Sequence, residues 1–270
     1  MKQLLLIFLA LNLQLSVMAQ SKVKTITVSD KLKLIQLTDY TWVHVSVENM
    51  TGFGKVSSNG LVYVEKGKAF LFDSPVTDSL TSVLIRVIQD SLKAKVVSFV
   101  PNHWHDDCMG GLKYLQSIGV KSYGNQLTID EARKRNLPVP KKGFNKSLKL
   151  KLGGKPIECW YPGGGHTKDN IVVWLPEEKV LFAGCMCKEM KSTGPGNLAD
   201  ADVKSWPLTI KKVMAKYKDA QIVVPGHGLW GGPELLQHTL ELVSNISAKN
   251  TNVQNNTTMS NSKKYRNNEF

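Results

Sequence analysis

One pattern that occurs four times constrains the fold most: an apolar run ends and is followed by a side chain that can bind a metal. Proline stops strand pairing and glycine lets the backbone turn sharply, so each strand can end with its polar side chain facing a shared cleft. One case would mean little, but four predict ligands that converge on one rim. The segments are Phe99-Val100-Pro101-Asn102-His103, Trp160-Tyr161-Pro162-Gly163-Gly164-Gly165-His166, Leu181-Phe182-Ala183-Gly184-Cys185 and Val223-Val224-Pro225-Gly226-His227.

The apolar residues of the first half follow strand and helix periods. Alternation predicts strands over residues 33–37, 42–48, 61–65 and 69–73. A one-sided apolar face predicts a helix over residues 78–93, and a buried strand over residues 96–100 and a helix over residues 111–118 follow. Thr128-Ile129-Asp130-Glu131 matches a capping box that opens a third helix.

The second half repeats an order of strands and then helices. Strands are predicted within residues 147–161 and over residues 171–175, 180–182 and 221–224, with helices over residues 202–217 and 233–247. This order predicts an α+β fold of two β-sheets packed together, with helices on both outer faces.

The chain divides into three parts. Lys2, an apolar stretch and Val17-Met18-Ala19 indicate an export signal over residues 1–19. A domain over residues 20–247 and a polar, disordered tail over residues 248–270 are then expected. No cysteine near the cleavage site could carry a lipid anchor, and no later segment is long and apolar enough to cross a membrane. We therefore expect a monomer exported to the periplasm, without a membrane anchor.

The chain is basic, with a net charge of +13. Residues 1–19 contain one charged side chain, so the charge of the mature chain is about +12. This charge favours anionic partners, but no basic stripe is interleaved with aromatic residues, which argues against nucleic acid. A small substrate with a carboxylate needs only one well-placed cation.

The four cysteines, Cys108, Cys159, Cys185 and Cys187, first suggest two disulfides in an exported protein. Their placement argues otherwise, because Cys108 adjoins a His/Asp cluster and Cys185 ends an apolar strand. At least one thiolate is therefore expected to bind a metal.

The histidines suggest a catalytic zinc site. His103 and His105 are two residues apart, so an extended segment directs both imidazoles to one side. With His166 they could bind one zinc and leave a fourth position open for water. Asp107, Cys185 and His227 form a sensible second set, and two zinc ions sharing a hydroxide would provide a strong nucleophile near neutral pH.

Together with further motifs, the histidine cluster resembles the sequence pattern of a known family. His103-x-His105-x-Asp107 followed by Gly110-Gly111-Leu112 resembles the signature of the metallo-β-lactamase superfamily, and the other motifs resemble its true zinc β-lactamases with a three-His site and an Asp-Cys-His site. Those motifs are Gly163-Gly164-Gly165-His166-Thr167-x-Asp169-Asn170, Gly184-Cys185-Met186-x-Lys188, Gly196-Asn197-Leu198-x-Asp200-Ala201-Asp202 and Pro225-Gly226-His227-Gly228.

The resemblance implies a four-layer αβ/βα sandwich with two zinc ions. It implies hydrolysis of the β-lactam amide of penicillins, cephalosporins and carbapenems by a zinc-bound hydroxide, and hence antibiotic resistance. In that reaction Asp107 orients the nucleophile, Asn197 helps to polarise the lactam carbonyl and Lys188 binds the substrate carboxylate. Met50 and Phe53 occupy a flap that covers the substrate.

Two other functions are also compatible with a zinc site of this kind. Thioester and phosphodiester hydrolases of the glyoxalase II or ribonuclease Z kind usually have a His directly after the motif's Asp and a bridging Asp in place of Cys185. A non-catalytic zinc-storage protein would need neither an open coordination position nor Lys188 and Asn197. Three roles also stay open: Cys187 could replace Cys185 as ligand, Cys108 could contact the site, and Asp106 could tune metal affinity.

Overall fold

The computed structural model describes residues 24–246. The predicted signal peptide and the predicted tail over residues 248–270 therefore lie outside the described residues. None of the helices within residues 24–246 is long and apolar enough to span a membrane.

The first sheet has eight strands that follow one another in chain order. The strands from β1 to β5 pair antiparallel, and those from β5 to β8 pair parallel, because helices connect the later strands. The strands are β1 Thr25–Ser29, β2 Leu32–Gln36, β3 Thr41–Met50, β4 Gly54–Glu65, β5 Lys68–Phe72, β6 Lys95–Val100, β7 Lys121–Asn125 and β8 Lys142–Phe144.

The second sheet has five strands in the order β13-β12-β11-β10-β9. Strands β9 to β12 form an antiparallel meander, and β13 returns parallel to β12. The strands are β9 Ser147–Leu152, β10 Lys155–Trp160, β11 Val172–Leu175, β12 Val180–Gly184 and β13 Ile222–Pro225.

The helices are α1 Asp78–Ser91, α2 Asp106–Met109, α3 Leu112–Ser117, α4 Gln126–Lys134, α5 Trp206–Lys216 and α6 over residues 234–246. Three apolar clusters join these elements into layers. Leu84 of α1 packs on the outer face of the first sheet, Phe72 and Phe182 pack between the two sheets, and Trp206 of α5 packs on the outer face of the second sheet. The four-layer α/β/β/α sandwich confirms the predicted fold class.

The two sheets meet at the rim where the ligand-bearing loops begin, and two buried asparagines tie them together. Asn59 of β4 donates from Nδ2 to the carbonyls of Pro225 and Gly228, at 2.9 and 2.8 Å. Asn102, which follows β6, donates from Nδ2 to the carbonyl of Ile171, whose own N–H donates back to the Asn102 carbonyl at 2.9 Å. These bonds hold the ends of strands from different sheets in one place.

The predicted start of α4 is wrong. Its N-cap is Asn125, whose Oδ1 accepts the N–H of Leu127 at 3.0 Å and whose Nδ2 donates to the carbonyl of Asn145 at 2.8 Å. Thr128 is buried within the helix instead. The helix predicted from residue 202 begins at Trp206 instead, and the backbone N–H of Asp202 donates to the carbonyl of Gly165 in the preceding loop.

The two glycines after the ligand segment allow helices α2 and α3 to pack closely. A Cβ added at Gly110 would lie 1.9 Å from the carbonyl oxygen of Val76, and one added at Gly111 would lie 2.1 Å from Oγ1 of Thr81. Glycine is required at these two positions for space and not for backbone conformation, because neither residue has a positive φ.

We expect Gly110→Ala to lower the free energy of unfolding by about 1–3 kcal/mol, because the methyl group would collide with backbone that cannot move aside. Chemical denaturation of the metal-free protein measures this loss. Gly194→Ala is the matched control, since a Cβ there meets nothing within 4 Å. Equal stability of the two variants would show that α2 is not packed as described.

Candidate metal centre

Three histidines form the first group of the site. His103 lies in the loop after β6, His105 immediately precedes α2, and His166 lies in the loop between β10 and β11. Their ring centroids are 4.6, 5.0 and 5.2 Å apart, with the rings close to perpendicular. One nitrogen from each ring lies within 4.8 Å of the other two, so the group could hold a single ion.

Partners behind two of these rings select the nitrogen that each ring presents. Nε2 of His105 lies 3.1 Å from Oδ2 of Asp200, which makes Nδ1 the nitrogen available to a metal. Nδ1 of His103 lies 3.2 Å from Sγ of Cys108, which makes Nε2 the available nitrogen. Such partners fix the tautomer and orientation of a metal-binding histidine.

Asp200 was not predicted to act at the site, although it lies within a motif quoted above. Its other oxygen is 3.4 Å from the guanidinium of Arg135, which lies 3.8 Å from the ring centroid of Trp104. The contact links His105 to a residue 95 positions away in the chain. No spacing rule in the sequence connects these residues.

Asp107, Cys185 and His227 form the second group. Cys185 Sγ lies 3.6 Å from Oδ2 of Asp107 and 3.3 Å from Nε2 of His227. The distance between Oδ2 of Asp107 and Nε2 of His227 is 3.2 Å. Nδ1 of His227 donates to the carbonyl of Ser57 at 2.8 Å, which turns Nε2 towards the group. One nitrogen, one oxygen and one sulfur therefore face a common point.

The structure shows where the three residues with open roles lie, namely Cys187, Cys108 and Asp106. Cys187 is buried among the apolar residues beneath α5 and α6, with Sγ 3.6 Å from Oγ1 of Thr239, so it does not join the second group. Cys108 lies between the groups, with Sγ within 4.8 Å of ligand atoms of His103, Asp107 and Cys185. Asp106 is exposed at the pocket wall. The four cysteines are all free.

Burial favours the neutral form of two of the three histidines, His103 and His166. Burial and the neighbouring His105 lower the pKa of His103 to about 3. Burial and the charge of His103 also hold the pKa of His166 well below its usual range. Neutral imidazole is the form that binds a metal.

The second group carries the negative charge. A hydrogen bond with Cys108 and the charge of His227 lower the pKa of Cys185 to about 6. Burial alone would raise the pKa of Asp107, but its hydrogen bond with His227 holds that pKa well below the usual range. Burial would likewise lower the pKa of His227, but Cys185 and Asp107 raise it well above its usual value.

Two buried polar atoms test whether a metal fits. Within residues 24–246, Nε2 of His103 and Oδ1 of Asp107 make no hydrogen bond, and they lie 3.9 Å apart. Buried polar atoms are normally paired, so cations bound at the two groups, with the water they hold, would supply the missing partners. Neutral imidazoles, a carboxylate and a thiolate are the ligands that zinc prefers, and these residues therefore fit zinc.

A pocket of about 390 Å³ opens above the two groups. All four predicted substrate-binding residues line it: Met50, Phe53, Lys188 and Asn197. The Phe53 side chain, at the tip of the β3–β4 hairpin, is 61% exposed. The pocket is thus apolar on one wall, cationic at Lys188 and lined at its floor by His105, Asp107, His166 and His227.

The fold and the donor groups define a metalloprotein with an open pocket over its metal centre. A model of the metallo-beta-lactamase superfamily matches residues 53–227. A type 2 metallo-beta-lactamase of Bacteroides fragilis is 49% identical over 238 residues, which cover 88% of this chain and 94% of that protein. The chain therefore belongs to the metallo-beta-lactamase superfamily.

Solved structures agree with this assignment. A metallo-beta-lactamase from Pontibacter korlensis superposes with a TM-score of 0.76 at 40% identity, covering 80% of this chain and all of that one. Another from Pseudomonas aeruginosa, described as a mono-zinc form, gives 0.76 at 32% identity and covers 80% of this chain and 96% of that one.

We expect Cys185→Ser to weaken zinc binding by more than tenfold. Loss of a residue that only hydrogen-bonds a metal ligand already costs about tenfold or more, and loss of the ligand itself should cost at least as much. Competition with a chromophoric chelator measures the affinity. Cys187→Ser and Cys159→Ser are matched controls and should bind zinc as the wild type does. Loss of affinity in Cys187→Ser but not in Cys185→Ser would mean that Cys187, and not Cys185, binds the zinc.

Proposed function

We propose that the protein is a zinc-dependent β-lactamase that hydrolyses the amide bond of penicillins, cephalosporins and carbapenems. The observation that carries the proposal is the Asp107–Cys185–His227 group beside three histidines at the floor of one pocket. A bridging aspartate stands in place of Cys185 in the thioester and phosphodiester hydrolases of the superfamily. The names of the relatives point the same way.

Two zinc ions are proposed for the two groups. His103, His105 and His166 would hold one ion, and Asp107, Cys185 and His227 would hold the other. When bound, zinc lowers the pKa of water enough to supply a hydroxide nucleophile near neutral pH and stabilises negative charge on oxygen. The mono-zinc form of a relative supports zinc as the metal.

Asp107 orients the nucleophile. Its Oδ2 is engaged by Cys185 and His227, whereas Oδ1 points towards His103 without a hydrogen bond from residues 24–246. That oxygen can accept a proton of the attacking water and hold its lone pair towards the lactam carbonyl. Because the carboxylate is fixed by its neighbours, little reorganisation is needed in the transition state.

Lys188 binds the substrate carboxylate. Its Nζ lies 5.5 Å from the ring centroid of Trp206, and burial lowers its pKa. A partly desolvated cation gains more from pairing with an anion than a solvated one does. Penicillins, cephalosporins and carbapenems each carry a carboxylate, so one cation can orient them all.

Asn197 donates to the lactam carbonyl oxygen. Its Oδ1 accepts the N–H of Ala199 at 3.0 Å, which fixes the plane of the amide. The Nδ2 group is then the part of the side chain that can donate to developing negative charge on a substrate oxygen. Asn197 can therefore accept the backbone bond through Oδ1 and bind substrate through Nδ2.

The hairpin tip covers the bound substrate. Met50 ends β3 and Phe53 precedes β4, and both side chains line the pocket. Closing an apolar tip over the ring would exclude water and strengthen the polar contacts below it. We also propose that the protein acts in the periplasm, because residues 1–19 have the pattern of an export signal, and that it acts there as a monomer.

We expect purified, zinc-loaded protein to hydrolyse nitrocefin and imipenem, to lose this activity with a chelator and to regain it with added zinc. Absorbance of the lactam ring measures turnover. Hydrolysis that persists after complete zinc removal would contradict the mechanism. Turnover of lactoylglutathione without turnover of any lactam would favour the thioester hydrolase. Zinc binding without hydrolysis of any ester, thioester or lactam would favour storage.

We expect Lys188→Ala to raise KM for these substrates by about 10- to 100-fold, with a smaller effect on kcat, because a charge-assisted hydrogen bond contributes roughly 1.5–3 kcal/mol. Lys188→Arg should recover part of the loss. The exposed Lys191 provides the matched control, Lys191→Ala. An unchanged KM for Lys188→Ala would mean that another cation binds the carboxylate.

A further inference from the structure

The proposed reaction uses Cys185 and leaves its neighbour Cys108 without a chemical role. The two Sγ atoms lie within 4.8 Å of each other, and both side chains are only 1% exposed. Cys159 lies in β10 within the core between the sheets, and Cys187 lies beneath α5 and α6. Cys108 and Cys185 are therefore a dithiol pair set apart from the other two cysteines.

The backbone segments that carry the two cysteines bring their sulfurs close together. Cys108 lies in the short helix α2, and Cys185 directly follows β12. A disulfide has an S–S bond of about 2 Å, so the sulfurs must approach each other by less than about 3 Å. Rotation of the two side chains supplies movement of that size.

The contacts of Cys185 show where an oxidant would arrive. Its Sγ lies 3.6 Å from Asp107 and 3.3 Å from His227, and both of these residues line the pocket. Cys185 itself is only 1% exposed, so a small oxidant would have to reach the sulfur from the pocket side, past these two residues. A bound zinc would occupy the same lone pairs of Cys185 and block this approach.

We propose that Cys108 and Cys185 form a disulfide when the metal-free site meets hydrogen peroxide, and that bound metal prevents it. The Cys185 sulfur attacks peroxide to give a sulfenic acid and one water. The Cys108 sulfur then attacks the sulfenic sulfur, which forms the S–S bond and releases a second water. Two thiols thus lose two electrons and two hydrogens, and peroxide is reduced to two waters.

The disulfide would switch the site off reversibly. It removes the sulfur ligand of the second group, so zinc could not bind there until a thiol reductant restored Cys185. Cys108 would also protect Cys185, since a sulfenic acid without a neighbouring thiol proceeds to irreversible acids. The inference rests on the metal site of the proposed function but not on the identity of its substrate.

Peroxide treatment of the purified chain tests this directly. Free thiols are counted after denaturation, and linked peptides are identified by mass spectrometry without reduction. We expect the metal-free protein to lose about half of its four thiols, to yield the peptide pair containing Cys108 and Cys185, and to regain thiols and zinc binding on reduction. The zinc-loaded protein should keep all four thiols under the same exposure.

Variants separate this pairing from general oxidation. Cys108→Ser and Cys108→Ala should give no linked peptides and should instead gain two or three oxygen atoms at Cys185, which reduction does not remove. Cys159→Ser, the matched control, should form the same linkage as the wild type. A Cys185–Cys187 linkage, absence of any linkage in the metal-free wild type, or equal linkage with zinc bound would overturn the proposal. None of these readouts depends on lactam hydrolysis.

Discussion

The hydrogen bonds of two buried asparagines hold the two sheets in register at the rim, and the position of every candidate ligand depends on them. The two sheets share no strand pairing, so packing of apolar side chains alone would allow them to slide. Asn59 joins β4 to the loop that carries His227, and Asn102 joins the end of β6 to the start of the β11 segment. Each bond also satisfies a buried carbonyl, so its loss would leave an unpaired polar group.

The metal centre is built at the expense of stability. Three imidazoles, a carboxylate and two thiols lie close together in a largely buried place, and His103 and Asp107 each keep a polar atom without a hydrogen bond within residues 24–246. A bound cation would satisfy these atoms and so stabilise the folded chain, since a ligand that binds only the folded state adds its binding free energy to folding. The same crowding that favours metal brings Cys108 against Cys185.

Much of the fold and site could be predicted from local patterns. Strand alternation and the apolar face of α1 located the layers. The four strand ends and the His103-x-His105-x-Asp107 spacing located the six candidate ligands, because each of these signals lies within a few residues of the chain. The contacts that orient the ligands could not be predicted this way. Asp200 meets His105 across 95 positions. The choice between Cys185 and Cys187 depends on the turn after β12, which directs Cys185 to the second group and Cys187 to the core beneath α5 and α6. The start of α4 was misplaced because Asn125 caps the helix through its Oδ1 while its Nδ2 donates to the carbonyl of the distant Asn145.

Diffraction from crystals of the zinc-loaded protein, with data collected on both sides of the zinc absorption edge, tests the central claim most directly. The account predicts two anomalous peaks. One should lie about 2.0–2.3 Å from nitrogens of His103, His105 and His166, and the other at similar distances from Asp107, Cys185 and His227. A single peak coordinated by Cys108, or two peaks that leave Cys185 uncoordinated, would contradict it.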